Sequence, residues 1–249
     1  MKVIAVKDYQ AMSVAAAQAV CSVVRANPGS ALGLATGSSP LGMYQALAAM
    51  CKKKAISFRK VRTVNLDEYI GVPETDVHSY HYYMNKRLFS ALDVVPKNCH
   101  LPNGMASQLD DECKRYDRLI TELGGIDLQL LGIGQNGHIG FNEPGSPLDS
   151  GTHVVTLTAS TRHANARFFS SIEDVPRQAI TVGLATILKS REIMLLVSGA
   201  AKAETLARLL HMDCVDAGFP ASALLKHPRV TLIADQAALA KAGAVVNHG

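Results

Sequence analysis

Apolar positions along the chain fall into two recurring patterns. Short dense runs, at Lys2 to Val6, Ala31 to Ala35, Val61 to Leu66, Glu192 to Val197 and Arg229 to Ala234, read as strands. The run Ile126 to Ile133, apolar at Ile126, Leu128, Leu130, Leu131 and Ile133 and bounded by glycines, has the pattern of a strand covered on both faces of a parallel sheet. Thr152 to Thr158 alternates like a further strand. Between these lie segments with helical spacing. One runs from about Asp8, a natural cap, to the stop at Asn27-Pro28-Gly29, and another from Pro40 through Met43, Leu47 and Met50. Ser79 to Leu92, Asp110 to Leu123, Thr161 to Phe169 and Pro176 to Leu188 follow. Alternating strands and helices predict an α/β fold, a doubly wound, mostly parallel, Rossmann-like sheet flanked by helices, with ligands at the carboxyl edge of its strands. No repeat, linker or low-complexity tract interrupts the chain, so residues 1–249 are expected to form one domain.

Composition narrows the class. With 48% hydrophobic and 18% charged residues the chain is neither disordered nor tail-bearing, and no apolar run reaches membrane-spanning length. The amino terminus MKVIAVKDYQ lacks the long apolar core of a signal peptide, which predicts a cytoplasmic location. The net charge of +4 suits an anionic small molecule as well as it suits nucleic acid. Lys52-Lys53-Lys54 is the only basic cluster and reads as a solvated helix end, so nucleic acid is not expected as a partner. Five scattered cysteines without C-x-x-C spacing argue for reduced thiols and against a zinc or disulfide framework.

Candidate chemistry concentrates where strands end. After Ile133 come Gly134, Gln135, Asn136, Gly137, His138, Gly140, Asn142, Glu143 and Pro144. Gly132, Gly134 and Gly137 spell G-x-G-x-x-G, but a dinucleotide fingerprint opens into a helix, and Phe141-Asn142-Glu143-Pro144-Gly145 breaks one. The glycines also fit a tight turn needing positive φ. His138 taken alone reads as a surface residue; beside a carboxylate in a glycine-rich loop it reads as an acid-base group with a partner to fix its tautomer. Thr36-Gly37-Ser38-Ser39 runs from a strand into a helix start at Pro40, which is either an anion cradle of free N–H groups or an ordinary connection with serine caps. Asp67 and Glu68 end the next strand, one able to cap the following turn while the other faces the site. A second candidate anion site lies at Ser198-Gly199 and the helix bearing Lys202. His78 and His81, three residues apart, lack a third metal ligand nearby in sequence, and no metal is expected.

Taken together, Leu34 to Pro40, Asn65-Leu66-Asp67-Glu68-Tyr69, Gly132 to Pro144 and Arg167-Phe168-Phe169 resemble the glucosamine-6-phosphate deaminase family, in register from the first strand to the last. That family converts glucosamine 6-phosphate and water into fructose 6-phosphate and ammonia without metal or redox cofactor. The resemblance implies that Asp67 moves the proton between C2 and C1 of the opened sugar, and that His138 opens the pyranose ring, aided by Asn136 and Glu143. It implies that the phosphate sits on Thr36, Gly37, Ser38 and Ser39 with Arg167 and Lys202. Some members carry aspartate where this chain has Asn136, which leaves more of the charge beside His138 to Glu143. Hexameric members place two basic residues in the following strand to hold an allosteric N-acetylglucosamine 6-phosphate; the matching positions here are His153 and Val155.

The expected partner is a small-molecule sugar phosphate, handled by a monomer or a homo-oligomer. Galactosamine 6-phosphate, differing at the C4 hydroxyl, is the alternative substrate. A 6-phosphogluconolactonase is disfavoured by the complete Asp67, His138 and Glu143 set. A non-catalytic sugar-phosphate sensor needs no acid and base at all.

Overall fold

The computed structural model describes residues 1–243. Strand β1 (Lys2–Val6) is followed by helix α1 (Tyr9–Ala26), whose first turn is capped by Asp8 accepting the Ala11 N–H at 2.8 Å. Met12, Ala16, Val20 and Val24 form the buried stripe of α1 at helical spacing. Next come β2 (Ala31–Leu34), α2 (Leu41–Lys52), β3 (Arg62–Asn65), β4 (Asp67–Tyr69), α3 (Tyr80–Arg87), β5 (Cys99–His100) and α4 (Leu109–Glu122). The second half holds β6 (Leu128–Leu131), β7 (His153–Thr156), α5 (Ala159–Asn165), β8 (Gln178–Thr181), α6 (Leu184–Leu188), β9 (Glu192–Val197), α7 (Ala203–His211), β10 (Val230–Asp235) and α8 (Gln236–Leu239). No helix among the described residues is long and apolar enough to cross a membrane.

Seven strands make the main sheet in the order β1-β10-β9-β6-β2-β3-β5, every pairing parallel. Strands β2 and β6 are buried at all four positions, which explains their largely apolar character, Gln129 being the polar exception. From β2 the chain winds outward through β3 to β5, and from β6 it winds the opposite way through β9 and β10. The connections leaving β2 and β6 therefore diverge, and a crevice opens between them at the carboxyl edge.

Two expectations are corrected here. Strands and helices do not alternate throughout: β4, β8 and β7 form a separate three-stranded antiparallel sheet. Asp67 thus does not hang from the end of β3 but pairs with Thr181 in this second sheet, with Leu66 alone between it and the end of β3 at Asn65. The expected helix Pro176 to Leu188 is instead β8 followed by the one-turn α6. Pairing with both β4 and β7 buries Ala179, Ile180 and Thr181, and this tertiary ladder outweighs any local helical tendency. Gly183 separates the two pieces because a Cβ there would stand 2.1 Å from the Gly151 carbonyl oxygen.

Candidate active site

The crevice is an open cleft of about 560 Å³ lined by the Thr36 to Ser39 loop, Asp67, Asn136, His138, Arg167 and Lys202. Apart from Asn136 and His138, which share the loop after β6, each comes from a different connection or strand end, so the topology of the two sheets assembles them.

The loop after β2 is shaped from behind by three tyrosines. The hydroxyl of Tyr44 donates to the Ala35 carbonyl (2.6 Å), that of Tyr83 to Gly37 (2.5 Å) and that of Tyr9 to Ser38 (2.9 Å). Carbonyls so engaged face away from the cleft, while Gly37 takes φ 89°, a backbone region that favours glycine. Helix α2 begins with no side-chain cap. The Gly42 N–H is taken by the Tyr9 hydroxyl (2.8 Å), so it is the preceding loop, at the positive end of the helix dipole, that can offer N–H groups to an incoming anion. Of the two readings of this loop, the serine-cap one fails.

Asp67 is 6% exposed, and its Oδ1 has no hydrogen-bond partner. Burial, reinforced by the neighbouring Glu68 charge, pushes its carboxyl up to about 8. Glu68 points the other way and caps α3: Oε1 accepts the N–H groups of Tyr69 (2.8 Å) and Tyr80 (2.9 Å), and Oε2 that of His81 (3.0 Å). The adjacent acids divide as expected, one capping and one facing the cleft. His81 bonds through Nδ1 to Glu68 and His78 through Nδ1 to Asp76, so each imidazole already has a carboxylate partner.

His138 lies at the end of a relay. Its Nδ1 stands 2.7 Å from Asn136 Oδ1, and Asn136 Nδ2 donates to Glu143 Oε2 at 2.7 Å. Since a carboxylate accepts only, the amide must present its NH₂ to Glu143 and its oxygen to the imidazole. Nδ1 then carries the proton in the neutral ring and Nε2 keeps a free lone pair. Burial holds His138 below the usual imidazole range; Glu143 opposes that shift and Lys202 adds to it. Glu143 is in turn fixed by the hydroxyls of Thr158 (3.2 Å) and Thr161 at the start of α5. Gly134 is required by the imidazole: a Cβ there would lie 2.1 Å from His138 Cε1. No helix follows β6 before Pro144, so the G-x-G-x-x-G spacing serves this turn and not a dinucleotide fingerprint.

Arg167, in the single 3-10 turn after α5, and Lys202, in the turn before α7, both line the cleft. Lys202 is held below the usual ammonium range by burial and by the Arg167 charge. Two cations lining one cleft can together neutralise an anion bound there.

Reasoning from sequence left out Tyr9, Tyr44, Tyr83, Thr158 and Thr161, which position the loop and the relay, and Tyr80 and Asn165, which line the cleft. Asn165 donates to the Tyr69 hydroxyl at 3.0 Å. The aromatic content of Ser79 to Leu92 was the available signal for Tyr80 and Tyr83, but a packing face explained it equally well.

A parallel sheet with buried acid-base groups and an anion cradle at its switch point defines an α/β enzyme acting on a small anionic substrate. The family model described as glucosamine-6-phosphate isomerases/6-phosphogluconolactonase matches residues 7–233, and the chain belongs to that family. A glucosamine-6-phosphate deaminase of a Geobacillus species is 55% identical over 239 residues, 96% of this chain and 95% of that protein. Glucosamine-6-phosphate deaminase 1 of Bacillus subtilis is 48% identical over 238 residues, 96% of this chain and 98% of that one. A solved monomeric glucosamine-6-phosphate deaminase superposes with a TM-score of 0.95 at 47% identity, covering 97% of this chain and 100% of the other. The 6-phosphogluconolactonase of Thermotoga maritima, at 20% identity and a TM-score of 0.73, shares the fold alone.

Proposed function

We propose that the chain is a glucosamine-6-phosphate deaminase, converting glucosamine 6-phosphate and water into fructose 6-phosphate and ammonia. The observation that carries this reading is the presence, in one cleft, of a buried carboxylate with a free oxygen, a neutral imidazole with a free Nε2 and an anion cradle. The full-length identity of about half to deaminases supports it.

In this mechanism the phosphate rests on the Thr36 to Ser39 N–H groups and hydroxyls, with Arg167 and Lys202 neutralising its charge. Nε2 of His138 takes the proton of the C1 hydroxyl, forming a transient imidazolium, and passes it to the ring oxygen as the C1–O5 bond breaks and the ring opens. Asn136 and Glu143 hold the resulting imidazolium. Asp67 then removes the C2 proton and delivers it to C1, moving the carbonyl-level carbon from C1 to C2 as an imine. Water adds to that C=N bond, and its cleavage leaves the C2 ketone and ammonia. Asp67 must be ionised at the proton-abstraction step; the ammonium of the substrate, brought beside it, favours the carboxylate.

The family's phosphorylated substrate class and the free thiols, all five of which are unpaired, fit a cytoplasmic enzyme. The monomeric state named for the 47% identical solved deaminase supports a monomer here. The test is ammonia release measured with glucosamine 6-phosphate and galactosamine 6-phosphate side by side. Preference for the first is expected; preference for the second would move the assignment to the C4 epimer, and release from neither would overturn it.

A further inference from the structure

Asp235 is a buried carboxylate with no part in the chemistry above. It ends β10 at 4% exposure. Oδ1 accepts the N–H groups of Ala238 (2.8 Å) and Gly199 (3.0 Å), and Oδ2 accepts from Gly199 N–H (3.1 Å) and from the Ser198 hydroxyl. The Ala238 contact caps α8, a helix of only four residues. The other three acceptor contacts all go to Ser198 and Gly199, the turn that leaves β9.

That turn needs an external fixture. Gly199 takes φ 89° and ψ 150°, and nothing would lie within 4 Å of a Cβ at this position, so side-chain packing does not confine it. Glycine in open space has the largest backbone freedom of any residue. Lys202 closes a 3-10 turn directly onto it, its N–H donating to the Gly199 carbonyl at 3.0 Å. Asp235 fixes the Ser198–Gly199 peptide through its N–H, and Lys202 closes onto the following peptide through the Gly199 carbonyl, so the carboxylate anchors the turn from which the Lys202 side chain leaves for the cleft.

We propose that Asp235 is a positioning residue for phosphate recognition: through Ser198 and Gly199 it places the Lys202 ammonium opposite the Thr36 to Ser39 loop. This rests on the reading of Lys202 as a phosphate contact. It predicts a deficit confined to anion binding, because Asp235 touches neither Asp67 nor the His138 relay.

The experiment uses the full chain, with inorganic phosphate as competitive inhibitor and glucosamine 6-phosphate as substrate, on Asp235→Ala, Ser198→Ala, Lys202→Ala and the double variants with Lys202→Ala. Asp235→Ala is expected to raise Ki for phosphate and KM about tenfold and to change kcat less than about threefold, and Ser198→Ala to follow in the same direction by about two- to threefold. Residues acting through one another are non-additive, so Asp235→Ala should add nothing to Ki in the Lys202→Ala background. Should Asp235→Ala fail to fold, the Ser198→Ala/Lys202→Ala cycle decides by the same criterion. Weakened phosphate binding in Lys202→Ala but neither other single variant, or losses that multiply in the double variants, would leave Asp235 a helix cap only. An unchanged Ki in Lys202→Ala would instead remove Lys202 from the phosphate site, and the inference with it.

Discussion

Asn136 holds His138 by an amide oxygen, at 2.7 Å from Nδ1, and not by a charge. The imidazole is thereby given a fixed tautomer while the nearest full negative charge, Glu143 Oε2, stays 3.8 Å away. An uncharged neighbour orients without strongly favouring the protonated ring.

Asn136→Asp should consequently raise the His138 pKa. Titrating the imidazole by NMR in the free enzyme is expected to show wild-type His138 neutral at lower pH than an ordinary histidine, and the variant protonated at higher pH than wild type. Coincident titration curves would show that the two side chains do not communicate.

Asp67→Asn removes the proton carrier, and loss of general base catalysis typically costs about 10²- to 10⁴-fold. We expect kcat to fall by that order with KM nearly unchanged; more than half the wild-type kcat would exclude Asp67 from the role. In the wild type, kcat/KM should rise with pH towards about 8 as the free enzyme's Asp67 ionises.

The same residue couples activity to stability. Its carboxyl ionises near 8 in the folded state and near 4 in an unfolded chain. Folded protein therefore retains the proton more strongly between those values, and stability falls as pH rises through that window. Asp67→Asn, which cannot ionise, should gain stability over wild type from pH 4 towards pH 8, read as a widening gap in urea midpoint. A gap that narrows with pH would contradict a buried, proton-retaining Asp67.

Lys202→Ala and Arg167→Ala each remove a charge-assisted contact of roughly 1.5–3 kcal/mol. KM for the phosphorylated sugar should rise about tenfold or more, and inhibition by inorganic phosphate should weaken in parallel. Wild-type values in both variants would place the anion elsewhere.

Tyr9→Phe tests the loop from behind. Its hydroxyl donates to Ser38 O and accepts the Gly42 N–H at 2.8 Å, tying the loop to α2. Deleting it frees both; the Ser38 carbonyl is exposed and can turn to water, but the part-buried Gly42 N–H loses about 1–3 kcal/mol if left unsatisfied. Phosphate affinity should drop severalfold while the His138 titration stays as in wild type; a change in the titration alone would assign Tyr9 to the wrong group.

The parallel half of this fold can be read locally, because β2, β6 and β9 are covered on both sides and their apolar runs are long enough to stand out between glycines. The small sheet cannot. Its strand β4 is Asp67-Glu68-Tyr69, a composition poor in strand preference, and it exists because β8 pairs with it from more than a hundred residues away. His138 and Glu143 stood out because titratable residues in a glycine-rich loop at a strand end are distinctive, and Asp67 and Lys202 because they follow strand ends; the role of Arg167 came only from the family resemblance. Thr158 and Thr161 were not, since a hydroxyl that serves Glu143 across the cleft looks in sequence like any helix start.

The junction at Leu66 separates two tasks physically. The loop proposed to grip the anion follows β2 of the seven-stranded sheet, and the carboxylate proposed to move the proton lies in the three-stranded one. Because the sheets share a chain but no ladder, the reacting end of the cleft can be rebuilt by changing β4 and its neighbours without disturbing the grip. One scaffold of this design can thus keep its hold on a phosphorylated end while the chemistry at the other end of the cleft changes.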